Sequence, residues 1–424
     1  MKIKAVRLYG KNDLRLEEFE LPPLGEEEIL AQVVSDSICM SSHKAALQGA
    51  EHKRVPKDVD KNPTIIGHEF AGTILEVGRK WRKKFKPGAK FSIQPALNYK
   101  GSLAAPGYSY RFIGGDATHV IIPNEVMEMN CLLPYNGPGF FPASLSEPVS
   151  CIAGAFHASY HTEPGSYAHH MGIKPRGALA LLAAAGPMGL GAIDWALHSG
   201  SANCPPRLLL VTDIDEERLE RARRYFPPEA AESAGVKLEF VNTRDLPDAA
   251  KALLERTGGE GFDDVFVFAP VRPVVETGDR ILARHGCLNF FAGPTDAGFS
   301  ASVNFYNVHY NSTHILGTTG GNNDDMVEAL QVMSQGRINP AVMVTHIGGL
   351  NAVVDATLNL PRIPGGKKLI YTHIELELTA IADFREKGRS VPLFAKLAEI
   401  VERHNGLWSV EAEEYLLANA RRID

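Results

Sequence analysis

The chain has 424 residues, 44% apolar and 22% charged, the balance of a soluble globular protein and too long for one ordinary core, so two domains are expected. A formal net charge of −6 argues against the Lys/Arg excess of a nucleic-acid-binding surface. The five cysteines (39, 131, 151, 204, 287) make neither a disulfide framework nor a Cys-x-x-Cys pair, as expected of a protein in the reducing cytoplasm.

The opening Met-Lys-Ile-Lys-Ala-Val-Arg reads as a strand, without the apolar core and cleavage site of a signal peptide. Up to about residue 150 the pattern is short strands and turns. Ala31–Val34, Thr73–Val77 and His119–Ile122 carry the β-branched residues, and Lys86-Pro87-Gly88 and Gly114-Gly115-Asp116 interrupt them, so an antiparallel, barrel-like module is expected. The basic run from Arg79 to Lys90, interleaved with Trp81 and Phe85, reads as a solvated loop.

From about residue 176 strands and helices alternate. Expected strands are 178–182, 208–212, 237–241, 264–268 and 287–291, with helices over 189–198 and 216–225, which implies a parallel sheet covered on both faces. The apolar stretch 177–193 is broken by glycines and Pro187, so it reads as buried strand and helix and not as a membrane span. A helix over 324–335, a closing strand near 365–371 and two tail helices follow. The first runs from near Ser390 to Asn405-Gly406, and the second is N-capped by Ser409.

Chemistry concentrates in three short pieces: Cys39-Met40-Ser41-Ser42-His43, Gly67-His68-Glu69 and Glu147-Pro148. Together they supply a thiolate, an imidazole and two carboxylates, a donor set suited to zinc, with a hydroxyl two positions after the cysteine to take a substrate proton. Each piece alone has a plainer reading: a buried free cysteine, a core histidine beside a solvated glutamate, and an acid at a helix N-terminus. The turn Ala184-Ala185-Gly186-Pro187-Met188-Gly189 lacks the first glycine of the dinucleotide fingerprint at Ala184 but keeps Gly186 and Gly189 between a strand and a helix. Asp213 ends the next strand, where an acid binds both ribose hydroxyls of NAD and repels the 2′-phosphate of NADP. Asp215 adds negative charge and Arg218 leaves NADP some room. Zinc donors beside a nucleotide turn point to hydride transfer at an alcohol or carbonyl.

These pieces, with Arg7 to Lys11, Lys44 to Val55, Ile65 to Phe70, Gly114 to Val120, Asn289 to Pro294, Asn304 to Tyr306 and Gly365 to Leu369, make the chain resemble the medium-chain zinc-dependent polyol dehydrogenases over nearly its whole length. The resemblance implies an α/β fold in which a doubly wound Rossmann sheet is inserted in a GroES-like β-rich catalytic domain. Residues 1–155 would form the catalytic part, 156–324 the NAD-binding domain and 325–424 the return with its tail helices. It implies zinc at Cys39, His68 and Glu69 with Glu147 near or exchanging onto it, and Ser41 as proton relay. His43 or Lys44 would continue the relay. The nucleotide would lie on Gly186, Pro187, Met188, Gly189, Asp213 and Arg218. Because 94–110 contains no cysteine, one catalytic zinc and no structural zinc is expected. NAD(H) is expected over NADP(H), and a sugar phosphate or polyol as substrate. A phosphate would be met by His43, Lys44, Arg111 or Lys367. A homodimer or homotetramer without nucleic-acid or membrane partners completes the expectation. Its alternatives are an unphosphorylated polyol as substrate, or a nucleotide-binding protein without turnover.

Overall fold

The structure, a computed structural model, describes residues 1–201 and 203–423. It divides into two compact units. The first comprises Met1–Pro148, Asn322–Gln335 and Val344–Asp424, and the second Val149–Gly321 and Gly336–Met343. The first change of unit falls inside the helix Ser146–Ala158, before the expected 155/156, and Gly336–Met343 groups with the second unit instead of the returning segment.

The first unit is built on an eight-stranded sheet in the order Thr379–Ala380, Val344–Gly349, Lys367–Tyr371, Ile29–Ile38, Phe70–Val77, Lys90–Ile93, Leu132–Pro134, with His119–Ile122 also paired to Ile29–Ile38. Its pairing is antiparallel except between Val344–Gly349 and Lys367–Tyr371. A core of Ile29, Ala31, Val33, Phe70, Ile74, Phe91, Val120 and Ile122 lies against it. The expected first strand spans Lys2–Gly10 and joins a separate three-stranded sheet. The segment 79–90 is a surface loop with one turn of 3-10 helix at Arg79–Trp81, its cations on Glu26, Glu27 and Glu128.

The register of the central strands positions the chemistry. Lys368 lies opposite Ile38, and Asp36 opposite Phe70. Cys39, Lys367 and Glu69 are the next residues along these three strands, so sheet pairing alone carries them to one end of the sheet.

The second unit holds a six-stranded, wholly parallel sheet in the order Lys237–Asn242, Leu208–Asp213, Ala178–Leu182, Phe262–Val267, Leu282–Phe290, His314–Gly317. In chain order this is 3-2-1-4-5-6, which places a switch point where the first strand meets the fourth. Both faces are covered, and Ala178 through Leu182 are buried throughout. At the end of that strand Ala183 takes a left-handed φ of 55°, and the helix Pro187–His198 begins after it. Gly189 permits this tight return: a Cβ there would lie 1.9 Å from the Ala184 carbonyl oxygen.

The tail folds as the helices Pro392–Arg403 and Val410–Asn419, the second capped by the Ser409 hydroxyl accepting from the Ala412 amide at 3.2 Å. No helix among the described residues is long and apolar enough to cross a membrane.

Candidate active site

Cys39 stands where the strand Ile29–Ile38 ends and the helix Met40–Gln48 begins, as its N-cap, so the partial positive charge of the helix N-terminus faces the sulfur. His68 and Glu69 lie between the short strand Thr64–Ile65 and the strand Phe70–Val77. Gly67 precedes them with φ 87°, and a Cβ there would meet the Asp116 amide nitrogen at 2.7 Å, so the bend that aims His68 inward requires glycine.

Ligand atoms of Cys39, His68 and Glu69 all lie within 4.8 Å of one another. The Ser41 hydroxyl sits in their midst, donating to Cys39 Sγ at 3.0 Å and 3.1 Å from His68 Nε2. His68 Nδ1 meets the Ser42 hydroxyl at 3.2 Å, a contact that orients the ring and leaves Nε2 facing the sulfur. The Tyr108 hydroxyl also approaches Nε2, at 3.2 Å.

The electrostatics are those of a cluster short of positive charge. Burial pushes the Cys39 thiol up to about 12; Lys367 opposes the shift, while Glu69 and Glu147 reinforce it. Burial likewise drives His68 down to about 4. Burial would raise the Glu69 carboxyl too, but Lys367 and then His68 outweigh it and hold the group below its ordinary value. Lys367 Nζ lies 2.5 and 2.6 Å from the two Glu69 oxygens, both side chains buried. Glu147 opens the helix Ser146–Ala158, and its charge reaches Cys39, Tyr108 and Lys367. A half-buried thiol, an imidazole with one nitrogen already fixed and the Glu69 carboxylate fit a divalent zinc ion: they are soft-to-borderline donors that a cation would stabilise.

The other expected residues fall as follows. His43 Nδ1 engages the Thr357 carbonyl at 2.8 Å, and Tyr108, which the sequence reading did not single out, approaches the same His68 Nε2 as Ser41 does. Lys367 is committed to Glu69, which corrects its expected role as a phosphate cation. Arg111 is exposed over the Phe112 ring. In the second unit, Gly186 is the N-cap of Pro187–His198; no side chain caps the helix, and a Cβ on Gly186 would meet nothing within 4 Å. Backbone donors at that terminus and the space above Gly186 could take a pyrophosphate. Met188 is half-buried in the first turn. Asp213 is buried with both oxygens on backbone amides: Oδ2 accepts from Ala185 at 3.1 Å, and Oδ1 from Ile214 at 2.8 Å and Asp215 at 3.1 Å. Its first duty is therefore to fix the turn. Arg218 is exposed, 3.5 Å from Asp215.

Comparison with known proteins identifies the family. An alcohol dehydrogenase GroES-like domain matches residues 25–130, and a zinc-binding dehydrogenase domain matches residues 187–335. The chain is 51% identical over 420 residues to L-sorbose 1-phosphate reductase of Klebsiella pneumoniae, covering 99% of this chain and 98% of that protein. It is 50% identical over 413 residues to mannitol-1-phosphate 5-dehydrogenase of Aliivibrio fischeri, covering 97% of each. The crystal structure of 2R,3R-butanediol dehydrogenase from Bacillus subtilis shares the fold at a TM-score of 0.68 and 19% identity, covering 87% of this chain and 99% of that one. The chain belongs to the zinc-dependent medium-chain polyol dehydrogenase family, with a GroES-like part and a Rossmann part. It is an oxidoreductase acting on CH–OH groups of a polyol or sugar phosphate, and the alternative of a nucleotide-binding protein without turnover falls away.

Proposed function

We propose that the protein interconverts a phosphorylated ketose and its polyol phosphate with NAD(H), reducing L-sorbose 1-phosphate to glucitol 6-phosphate. The observation that carries this reading is the Ser41 hydroxyl lodged between Cys39 Sγ and His68 Nε2. Names of the two half-identical relatives, each acting on a sugar or polyol phosphate, support the substrate class. An unphosphorylated polyol is the second reading.

One zinc ion, held by Cys39, His68 and a carboxylate of Glu69 or Glu147, would supply Lewis acidity at the substrate oxygen. NADH would supply the hydride, its pyrophosphate on the turn Gly186-Pro187-Met188-Gly189. Asp213, fixed by three amides, would offer its remaining acceptor capacity to the ribose, which would favour NAD(H) over NADP(H). Ser41 returns the proton to the substrate oxygen during reduction and takes it during oxidation. Tyr108, held neutral by burial, passes it onward. Lys367 neutralises Glu69, so a second carboxylate near the metal need not weaken its pull on the substrate.

Free cysteines fit a cytoplasmic setting. The sheet edge at His314–Gly317, near exposed Phe305, Tyr306 and Tyr310 in sequence, suits self-association as a homodimer or homotetramer.

Metal analysis tests the centre. The purified protein is expected to carry one zinc per chain and Cys39→Ala to carry none while keeping its far-UV circular dichroism. Retention of stoichiometric zinc by Cys39→Ala contradicts the assignment.

A further inference from the structure

Beyond the helix Met40–Gln48 the chain makes one 3-10 turn, Gly49–Glu51, and then presents His52-Lys53-Arg54. This segment packs on the outer side of the candidate metal centre through Tyr108. The Tyr108 ring lies 4.8 Å from the His68 ring on one side of the contact chain. His52 stacks on the same Tyr108 ring at 5.7 Å with a 10° interplanar angle, and Arg54 Cζ lies 5.7 Å from its centroid. One aromatic ring thus separates a guanidinium from the imidazole of the site.

The His52 side chain and the Arg54 main chain are each anchored. The Arg54 amide donates to His52 Nδ1 at 3.3 Å, which puts the proton of the neutral imidazole on Nε2. The Ser109 hydroxyl donates to the Arg54 carbonyl at 2.6 Å. Their outward donors are unclaimed: among the described residues neither the Arg54 guanidinium nor His52 Nε2 has a hydrogen-bond or ion-pair partner. Arg7, Arg15, Arg79, Arg223, Arg280 and Arg385 each face a carboxylate; Arg54 instead lies against an aromatic ring beside the candidate metal centre.

Arg54 is also half-buried, where a guanidinium is costly without a counter-ion. Among the described residues no carboxylate pairs with it. His52 is held toward its neutral form first by burial and then by Arg54, Lys53 and Lys44, and no carboxylate acts on it. A fork of N–H donors, an imidazole N–H and the neighbouring Lys53 ammonium group come together here in a protein of net negative charge. A tetrahedral dianion satisfies such a set, with Arg bonding it bidentately.

We propose that Arg54, with His52, binds the phosphomonoester of the substrate and is the residue by which the enzyme separates sugar phosphates from free sugars. This rests on the phosphorylated-substrate reading above and names the residue behind it. Phosphate recognition thereby falls to the 52–54 segment, and the cations His43, Arg111 and Lys367 are not needed for it.

The test is steady-state NADH oxidation by wild type, Arg54→Met and Arg54→Lys, with L-sorbose 1-phosphate, D-fructose 6-phosphate and L-sorbose. Methionine keeps the stem over Tyr108 and removes the charge. The expected result is a roughly 10- to 100-fold fall in the ratio of kcat/KM for phosphate ester over free sugar, carried mainly by KM, with lysine intermediate. An unchanged ratio in Arg54→Met overturns the proposal. Should wild type turn over neither phosphate ester, the substrate reading fails, and inorganic phosphate then probes the anion site by itself. With NADH saturating, phosphate raises the Tm of wild type and not that of Arg54→Met if the site exists. Equal shifts in the two proteins overturn it.

Discussion

Replacing Lys367 with methionine is expected to destabilise the metal-free protein by about 3–5 kcal/mol, because it leaves the Glu69 carboxylate buried without its counter-ion. The two groups are 7% and 1% exposed and meet at 2.5 and 2.6 Å. Nearby acids make the loss worse. Asp36 Oδ1 accepts from the Glu69 amide at 3.2 Å, and the Asp36 carboxyl is itself raised by burial, then by Asp116 and Glu69. The pH dependence follows. In wild type Glu69 lies below its ordinary value of 4.5, so its contribution to stability is present above that pH and lost as pH falls through the lowered value. In Lys367→Met burial prevails and raises the carboxyl, so the variant gains stability relative to wild type as the medium is acidified. Added zinc offers Glu69 another cation and is expected to recover more stability in the variant than in wild type. Urea unfolding at two pH values, with and without zinc, measures all of this. A metal-free variant as stable as wild type would show that the pair carries no such charge burden.

Ser41→Ala is expected to lower kcat by about 10²- to 10⁴-fold, the usual contribution of a positioned proton carrier, with little change in KM or in zinc content. The Ser41 hydroxyl sits 3.0 Å from Cys39 Sγ and 3.1 Å from His68 Nε2, where a substrate oxygen would approach, and no other hydroxyl meets both atoms among the described residues. Tyr108 reaches only the imidazole side, 3.2 Å from Nε2. Ser41→Thr restores the hydroxyl and is expected to recover part of the rate. A full kcat in Ser41→Ala would remove the hydroxyl from the chemistry and leave solvent as the proton source.

The residues that define the site were legible because their chemistry is local. A cysteine followed by a hydroxyl, and a histidine-glutamate pair after an apolar strand, announce donors without any knowledge of the fold. The parallel sheet was legible from the alternation of apolar runs with charged helices. What escaped reading depends on pairing across long separations. Lys367 was read as a free cation because nothing in Gly-Gly-Lys-Lys-Leu reveals that Lys368 lies opposite Ile38, which brings Lys367 to Glu69. The helix Met40–Gln48 escaped because its sequence has no acidic first turn, no basic last turn and little apolar periodicity; its place is set by the end of the strand Ile29–Ile38 and by Ala45 and Ala46 in the core. The hairpin Tyr160–Thr162 with His169–Met171 was not read either, its polar, histidine-bearing strands lacking the alternation that marks a strand. Asp213 was read as the nucleotide acid from its place at a strand end, but its three amide contacts form only when the strand end and the turn are folded together. Arg54 drew no notice because an arginine shows its lack of a partner only in three dimensions.

The most direct measurement of the central claim is NADH oxidation by the purified protein with L-sorbose 1-phosphate and with free L-sorbose, before and after chelation and again after zinc is restored. The account predicts turnover of the phosphate ester far above that of the free sugar, lost on chelation and regained with zinc. Equal rates on the two sugars, or turnover indifferent to chelation and loss of zinc, would contradict it.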